Sequence, residues 1–276
     1  MHASISCSPS WVSDGTSLVT GALVTGASAG IGNAFASQLA ARGNDVVLVA
    51  RDRARLEAMA AELAARHRVA VEVLAADLTD PAQLASVEGR LADRDRPVDV
   101  LVNNAGYGTN GDFAQLDRDT EAREIGLNVV ALVRLTHAAL APMLERGRGA
   151  VLNVGSLAGG QPTPGNATYG ATKAFVSSFT QSVHEELRGS GVHVTVVCPG
   201  FTRTEFQGRA GIDSSKVPGF LWQSAEEVAA GALDALDHNR AVYVPGTLNR
   251  LTAAVVSALP DALTRRVAGF IVAQAE

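Results

Sequence analysis

From about Gly21 onward, short β-branched runs alternate with longer Ala- and Leu-rich stretches, and nothing else in the chain constrains its fold as tightly. The runs fall at 22–25, 45–50, 70–75, 98–103, 150–155, 192–198 and 241–244. Between most of them, apolar residues recur at helical spacing. Strands separated by helices cannot pair as tight hairpins. They lie parallel, and each helix crosses back over one face of the sheet. Right-handed crossovers wind the sheet both ways and leave a ligand crevice at the carboxyl ends of the strands. The expectation is an α/β fold with one doubly wound, parallel, seven-stranded sheet and helices on both faces.

The 276 residues are 47% hydrophobic, which supplies a large core and argues against disorder. Charged residues make up 18% and the net charge is −5, so a broad basic face for nucleic acid is not expected. Cys7 and Cys198 are far apart and form no CxxC, and the six histidines include no HExxH. Neither a disulfide framework nor a metal site is expected, and a reducing cytoplasm fits.

Residues 1–20 carry no basic segment followed by an apolar run, and read as a loosely ordered extension. No uncharged apolar stretch approaches the ~18 residues of a membrane span. Residues 21–246 read as one domain without a linker. Within it, residues 201–222 form a long connection rich in Phe and Gly, the kind of segment that serves as a substrate lid. Residues 247–276 read as two amphipathic helices broken at Pro260 and packed on the domain. Leu248, Leu251, Val255 and Leu259 share one stripe; Leu263, Val267, Phe270 and Ile271 share the other.

The tetrapeptide LVTG occurs at 18–21 and at 23–26, and only the second copy leads into further glycines. There Thr25 runs into Gly26-Ala27-Ser28-Ala29-Gly30-Ile31-Gly32. Glycine at these points permits a tight turn and lets backbone N–H groups approach a pyrophosphate. The following helix adds the positive end of its dipole.

Tyr169 and Lys173 stand four apart in a segment whose stripe continues through Val176, Phe179, Val183 and Leu187. An i, i+4 pair shares one helix face. A neighbouring ammonium is expected to lower the phenol from ~10 toward neutrality, where it can exchange a proton with a substrate oxygen. By itself a YxxxK is commonplace. Ser156, thirteen residues earlier, follows the fifth strand and can bond the same oxygen. Asn128 lies within the long helical stretch after the fourth strand, where a buried amide needs partners.

The order of these motifs resembles the compact, single-domain branch of the short-chain dehydrogenase/reductases, from about Ala22 to Thr204. The resemblance rests on TGxxxGxG at Gly26, Gly30 and Gly32, on Asn103-Asn104-Ala105-Gly106, on Ser156 with Tyr169 and Lys173, and on Pro199-Gly200. It implies a Rossmann-like fold and hydride transfer between a nicotinamide dinucleotide and a carbonyl/alcohol pair. Asn128, Ser156, Tyr169 and Lys173 would then be catalytic, with Asn128 holding a water that links Lys173 to solvent. Gly26, Ser28, Gly30, Ile31 and Gly32 would hold the pyrophosphate. Asp77 and Leu78 would meet the adenine, and Asn104, Ala105 and Gly106 would line the cleft. Lys173 would also bond the nicotinamide ribose beside Tyr169. Pro199, Gly200, Thr202 and Thr204 would serve the nicotinamide. The family commonly pairs subunits through the helices flanking the fourth and fifth strands, which implies a homodimer or homotetramer.

Cofactor choice turns on Ala50 and Arg51. An NAD-selective site places an acid at the end of the second strand; here Ala50 stands there and Arg51 follows, able to fork onto a 2′-phosphate. NADP(H) is therefore expected over NAD(H). Tyr107, Phe201, Phe206, Phe220 and Trp222 would give an apolar substrate wall. A non-catalytic dinucleotide-binding sensor on the same fold is the alternative reading. Peripheral membrane contact by the tail, with Arg265 and Arg266 beside its apolar stripe, is the less favoured role for that segment.

Overall fold

Seven parallel strands form one sheet in the order β3-β2-β1-β4-β5-β6-β7 in the computed structural model, which describes residues 20–211, 217–259 and 264–266. The strands are β1 (Gly21–Thr25), β2 (Asp45–Ala50), β3 (Val71–Ala75), β4 (Val98–Asn103), β5 (Gly149–Val154), β6 (Val192–Val197) and β7 (Val242–Tyr243). They are joined by α1 (Gly30–Ala41), α2 (Arg53–His67), α3 (Pro81–Ala92), α4 (Arg118–Ile125), α5 (Leu132–Arg146), α6 (Ala167–Glu186), the single turn α7 (Phe206–Arg209) and α8 (Ala225–Asp237), and α9 (Thr247–Ala258) follows β7. A π-helical turn, Gly126–Ala131, fuses α4 to α5.

Alternation within the strands sorts the core into two layers. Ala22, Val24, Val46, Leu48, Val100 and Val102 face α1, α2 and α8. Leu23, Val47, Val49, Leu101, Val151 and Val194 face α3, α5 and α6. β4 and β5 are buried along their whole length, as central parallel strands covered on both sides must be. The order of winding reverses between β1 and β4, which opens the crevice above Thr25 and Asn103.

Local chemistry sets the helix starts. Asp52 caps α2 by accepting from Arg55 N at 3.1 Å, and Asp80 caps α3 from Ala82 N and Gln83 N, with Pro81 in its first turn. Ser224 and Glu227 close a capping box on α8. Helix α1 differs: Ala29 stands at its N-cap with no side-chain bond, so its first N–H groups point freely into the crevice.

The fused helix Arg118–Arg146 is, by length and composition, apolar enough to cross a membrane, with mean hydropathy 1.5. Here it is a core helix of the fold, with its α5 part packed on β4 and β5.

Three expectations are revised. The seventh strand shortens to two residues, because only Val242 and Tyr243 reach β6 in register. The connection 201–222 is not wholly irregular: it contains α7, a 3₁₀ turn at Gly219–Leu221 and a bridge from Thr202 to Gln223. The first stripe of the tail does not pack on the core. Asn249 anchors α9 through bonds to Pro245 O (2.9 Å) and Gln223 Oε1 (3.0 Å), while Leu251 and Val255 are each 59% exposed and Leu248 and Leu259 also face outward. Residues 1–19 and the second stripe of the tail (Leu263, Val267, Phe270 and Ile271) lie outside the described residues.

Candidate active site

The glycine loop, Asn103–Gly106, Ser156, Tyr169 with Lys173, and Pro199–Gly200 converge on the carboxyl edge of the sheet. Gly26 (φ 66°) and Gly30 (φ 55°) adopt left-handed backbone, which a side chain would strain. A Cβ on Gly32 would come within 2.3 Å of Gly26 O and 2.4 Å of Asn104 Nδ2. The loop can therefore close on itself only with glycine there, and the bare α1 terminus rises from it. This cradle fits a dinucleotide pyrophosphate: backbone N–H groups, a positive dipole end and no side chain in the way. Ser28 and Ile31 are half-buried within it.

Thr25 and Asn104 brace the cradle. Thr25 Oγ1 donates to Val102 O at 3.2 Å and accepts from Asn104 N (2.9 Å) and Ala105 N (3.0 Å). Asn104 Nδ2 donates to Thr25 O (2.9 Å) and Gly26 O (3.3 Å). Asn104 thus holds the glycine loop in shape. Above the cradle, a Cβ on Gly30 would come 2.9 Å from Thr204 Cγ2, so the segment after β6 closes over the loop. Pro199 O accepts from Leu157 N at 3.0 Å, and Thr202 Oγ1 donates to Gly200 O at 3.2 Å.

Asp77 and Leu78 follow β3. Burial pushes the Asp77 carboxyl up, but the Thr79 hydrogen bonds and then the Arg51 and Arg123 charges outweigh it and hold it below its ordinary value. Arg51, exposed just after β2, is near enough for its charge to act on Asp77. Its neighbours are engaged elsewhere: Arg53 with Glu57 at 3.6 Å and Arg55 with Glu205 at 3.1 Å. Arg51 makes no ion pair among the described residues.

The Tyr-Lys pair lies on the first turns of α6. Lys173, 5% exposed, donates its Nζ to Val154 O at 2.7 Å and lies 5.7 Å from the centre of the Tyr169 ring. Ser156, extended at the end of β5, reaches the Tyr169 hydroxyl and accepts from Ala158 N at 3.1 Å. Close packing sets this approach, since a Cβ on Gly159 would come 2.5 Å from Lys173 C. Burial pushes the Tyr169 phenol up to about 12; the Ser156 bond pulls it down and the Glu124 charge pushes it further up. Burial brings Lys173 down to about 8, against the raising influence of Cys198 and Glu124. The expected lowering of the phenol by its neighbouring ammonium is thus not what the structure shows. Desolvation dominates both groups, and Tyr169 stands as a protonated donor.

Asn128 is buried in the π turn, and its side chain is fully engaged. Nδ2 donates to Tyr107 O (2.8 Å) and Thr172 Oγ1 (3.1 Å), and Oδ1 accepts from Tyr107 N (3.2 Å). The amide clamps the loop after β4 onto α6. A Cβ on Gly106 would come 2.9 Å from Asn128 Oδ1 and 3.6 Å from Lys173 Nζ, so the clamp and the lysine share one corner.

The sequence model of the short chain dehydrogenases matches residues 20–214. The chain belongs to the short chain dehydrogenase family. Sulfoacetaldehyde reductase 2 of Chromohalobacter salexigens is 42% identical over 186 residues, covering 67% of this chain and 73% of that one. Among solved structures, a short-chain dehydrogenase from Sphingobium yanoikuyae in complex with NADPH matches 88% of this chain and 97% of its own, with TM-score 0.78 and 41% identity. The bulky-bulky ketone specific alcohol dehydrogenase of Comamonas testosteroni matches 90% of this chain and 97% of its own, with TM-score 0.75 and 34% identity. As a short chain dehydrogenase, this protein is an oxidoreductase acting on a CH–OH/carbonyl group.

Around the dehydrogenase's Tyr169, the structure places aromatic residues unequally. The Phe206 ring lies 5.4 Å from that of Tyr169, and Phe201 packs on Trp222 at 5.7 Å with Arg203 over the Trp222 ring at 5.5 Å. Phe220 is exposed. Tyr107 is half-buried, and its hydroxyl turns to Thr120 O at 2.9 Å. Sequence reading missed two acids on α4. Glu121 and Glu124 are buried, accept from Thr168 Oγ1 and Thr109 Oγ1 respectively, and each leaves its Oε1 without a partner. In sequence they sit on a strongly polar helix and look solvated.

Burial first, and then the Glu121 charge, push Glu124 up to about 7, against the Thr109 bond and Lys173. An acid held up in the folded state costs stability as pH rises from the unfolded value to the folded one. Glu124→Gln removes this loss. The variant is expected to match wild type below about pH 4.5 and to exceed it by about 2–3 kcal/mol above about pH 7. Urea unfolding at about pH 4 and about pH 8 measures this; an equal midpoint difference at both would contradict it.

Proposed function

We propose that the chain is an NADP(H)-dependent carbonyl reductase and alcohol dehydrogenase for bulky apolar substrates. The observation that carries the proposal is the meeting of Ser156, Tyr169 and Lys173 at the sheet edge, one crevice away from the glycine cradle. Gly26, Ser28, Gly30, Ile31 and Gly32 hold the pyrophosphate; Asp77 and Leu78 face the adenine. Ala105 and Gly106 line the cleft, Lys173 meets the nicotinamide ribose, and Pro199, Gly200, Thr202 and Thr204 flank the nicotinamide. A bound dinucleotide supplies hydride to the carbonyl carbon. Tyr169, protonated at working pH, gives its proton to the carbonyl oxygen. Ser156 holds that oxygen in place, where fixed donors meet the developing charge.

Arg51 decides between cofactors. It follows Ala50, which stands where an NAD-selective site carries an acid, its charge acts on Asp77, and it makes no ion pair among the described residues. Two unit charges ~4 Å apart attract by about 4 kcal/mol at an effective dielectric of ~20, before desolvation. Arg51→Ala is expected to raise KM for NADPH about tenfold and to leave that for NADH within about twofold. Equal changes for both cofactors would contradict the assignment. The relative solved with NADPH supports this reading.

Phe206 beside Tyr169, together with the packed Phe201–Trp222 pair on the same connection, favours an apolar substrate. A relative named for bulky ketones supports this. A relative named for a small anionic aldehyde makes sulfoacetaldehyde the right competitor in the test. The test is a panel of aryl ketones, acetone and sulfoacetaldehyde, followed by NADPH absorbance. Burying four further methylenes at about 0.8 kcal/mol each favours the large ketone by about two-hundredfold in kcat/KM. Equal kcat/KM for aryl ketone and acetone would overturn the apolar site. NADPH binding with no turnover across the panel would make the chain a dinucleotide sensor.

The exposed Ile125 and Val130 on the α4–α5 run, and the stacked Phe175 and Phe179 on α6, support a homodimer or homotetramer through these helices. Light scattering is expected to give at least twice the monomer mass; a monomer at micromolar concentration would reject this. A free, buried Cys198 fits a cytoplasmic setting.

A further inference from the structure

The segment after β6 that is assigned to the nicotinamide has few ties of its own. Pro199 O accepts from Leu157 N, which fixes its start beside Ser156. Beyond that point Thr202 Oγ1 donates to Gly200 O at 3.2 Å and Gln207 Nε2 donates to Thr202 O at 3.1 Å. Both bonds are local and do not fix the segment against the rest of the fold. Gln223 does. Its N donates to Phe201 O at 2.9 Å and its O accepts from Arg203 N at 2.9 Å, so residues 201–203 pair with it in a single parallel bridge. The Gln223 side chain is gripped in turn by the tail helix. Asn249 Nδ2, in the first turn of α9, donates to Gln223 Oε1 at 3.0 Å and to Pro245 O at 2.9 Å.

Asn249 also lies directly against Gly200. A Cβ on Gly200 would come 2.8 Å from Asn249 Nδ2, 2.9 Å from Oδ1 and 3.1 Å from Cγ, so the whole amide packs on bare backbone. Gly246 (φ 82°) turns the chain from β7 into α9, and a Cβ there would come 2.9 Å from Gln223 Nε2. Two glycines thus leave room for one pair of amides. The apolar stripe of α9 faces outward, while the helix lies against the 3₁₀ turn Leu157–Gly160 that follows Ser156. Gln223 and Asn249 both stand beyond residue 214, where the family match ends. We infer that Asn249 and Gln223 form a latch through which the tail helix holds Gly200–Arg203 in place for hydride transfer. Neither is a catalytic residue; both are positioning residues that act through the Gly200–Arg203 backbone. Directed amide bonds suit this task, because they set a distance and an angle that non-directional apolar contact does not. Hydride transfer needs reacting atoms roughly 3–3.5 Å apart, and a misplacement of about 1 Å costs about a hundredfold. The pyrophosphate and adenine are held elsewhere, by the glycine cradle and the end of β3, so the latch serves the nicotinamide half alone.

The inference rests on the carbonyl-reductase reading, and its test separates the two. Wild type, Asn249→Leu, Gln223→Leu, Gln223→Glu and the double leucine variant are titrated by calorimetry with NADPH and with 2′-phospho-ADP-ribose, which lacks the nicotinamide. Each is then assayed for ketone reduction. Leucine keeps the size and removes the bonds, whereas Gln223→Glu keeps the oxygen that accepts from Asn249. Asn249→Leu and Gln223→Leu should each raise Kd for NADPH about tenfold and leave that for 2′-phospho-ADP-ribose within about twofold. Their kcat should fall about tenfold, with a larger isotope effect from NADPH deuterated at its transferable position and KM for the ketone within about twofold. Gln223→Glu should stay within about twofold of wild type, and the double variant should be no worse than about twofold beyond either single one. Equal rises in Kd for the two ligands would make the amides merely structural and overturn the proposal, as would unchanged NADPH affinity and kcat. Should Asn249→Leu fail to fold, wild-type values in Gln223→Leu would overturn it equally. A wild type that reduces no ketone would instead sink the carbonyl-reductase reading, and the calorimetric comparison would still decide the latch.

Discussion

Tyr169→Phe is expected to lower kcat for carbonyl reduction about a thousandfold, a loss of about 4 kcal/mol of transition-state stabilisation. The substitution removes one hydroxyl and little else. The ring still packs on Gly108 and still meets Phe206 at 5.4 Å, so the fold and the cradle keep their shape. NADPH affinity, read by fluorescence titration, should therefore stay within about threefold of wild type. The phenol is the proton source because its hydroxyl is protonated at working pH; burial pushes it up further, to about 12. A Tyr169→Phe protein with kcat within about tenfold of wild type would show that the proton comes from elsewhere.

Lys173→Met should damage both binding and turnover. Met keeps the buried stem but loses the ammonium, which leaves Val154 O without its donor at 2.7 Å. An orphaned buried acceptor costs about 1–3 kcal/mol, so a lower melting temperature is expected. Where Lys173 also meets a ribose, Kd for NADPH should rise about tenfold and kcat should fall about a hundredfold. Loss of stability alone, with kcat and Kd unchanged in the folded fraction, would reduce Lys173 to a structural residue.

Part of this was legible in the sequence for physical reasons. Parallel strands buried on both faces must be β-branched and continuous, so β2 and β4 could be placed residue for residue. The glycine loop could be read because left-handed backbone at Gly26 and Gly30 admits little else. Tyr169 and Lys173 share a helix face by spacing alone. What stayed hidden depends on contacts between distant segments. Asn103 donates to Thr136 and Asn153, and Asn153 donates to Thr180, a buried polar line across β4, β5 and α6 that no local pattern announces. Thr25 looked like the end of a strand, yet it braces the cradle. Glu121 and Glu124 looked solvated because their own helix is polar; the loop after β4 and the start of α6 bury them. The sign of the Tyr169 shift is hidden in the sequence, where spacing reveals the ammonium but not the desolvation. The α9 stripe has helical periodicity, and periodicity does not say what covers it.

The most direct test of the central claim follows the hydrogen. Wild type is given NADPH deuterated at the transferable position of its nicotinamide, together with an aryl ketone, and the alcohol is examined by mass spectrometry and NMR. The account predicts one deuterium on the carbinol carbon for each NADPH oxidised, and none at that carbon when the label is supplied only as D2O. NADPH oxidised without alcohol formed, or carbinol deuterium drawn from solvent, would contradict it.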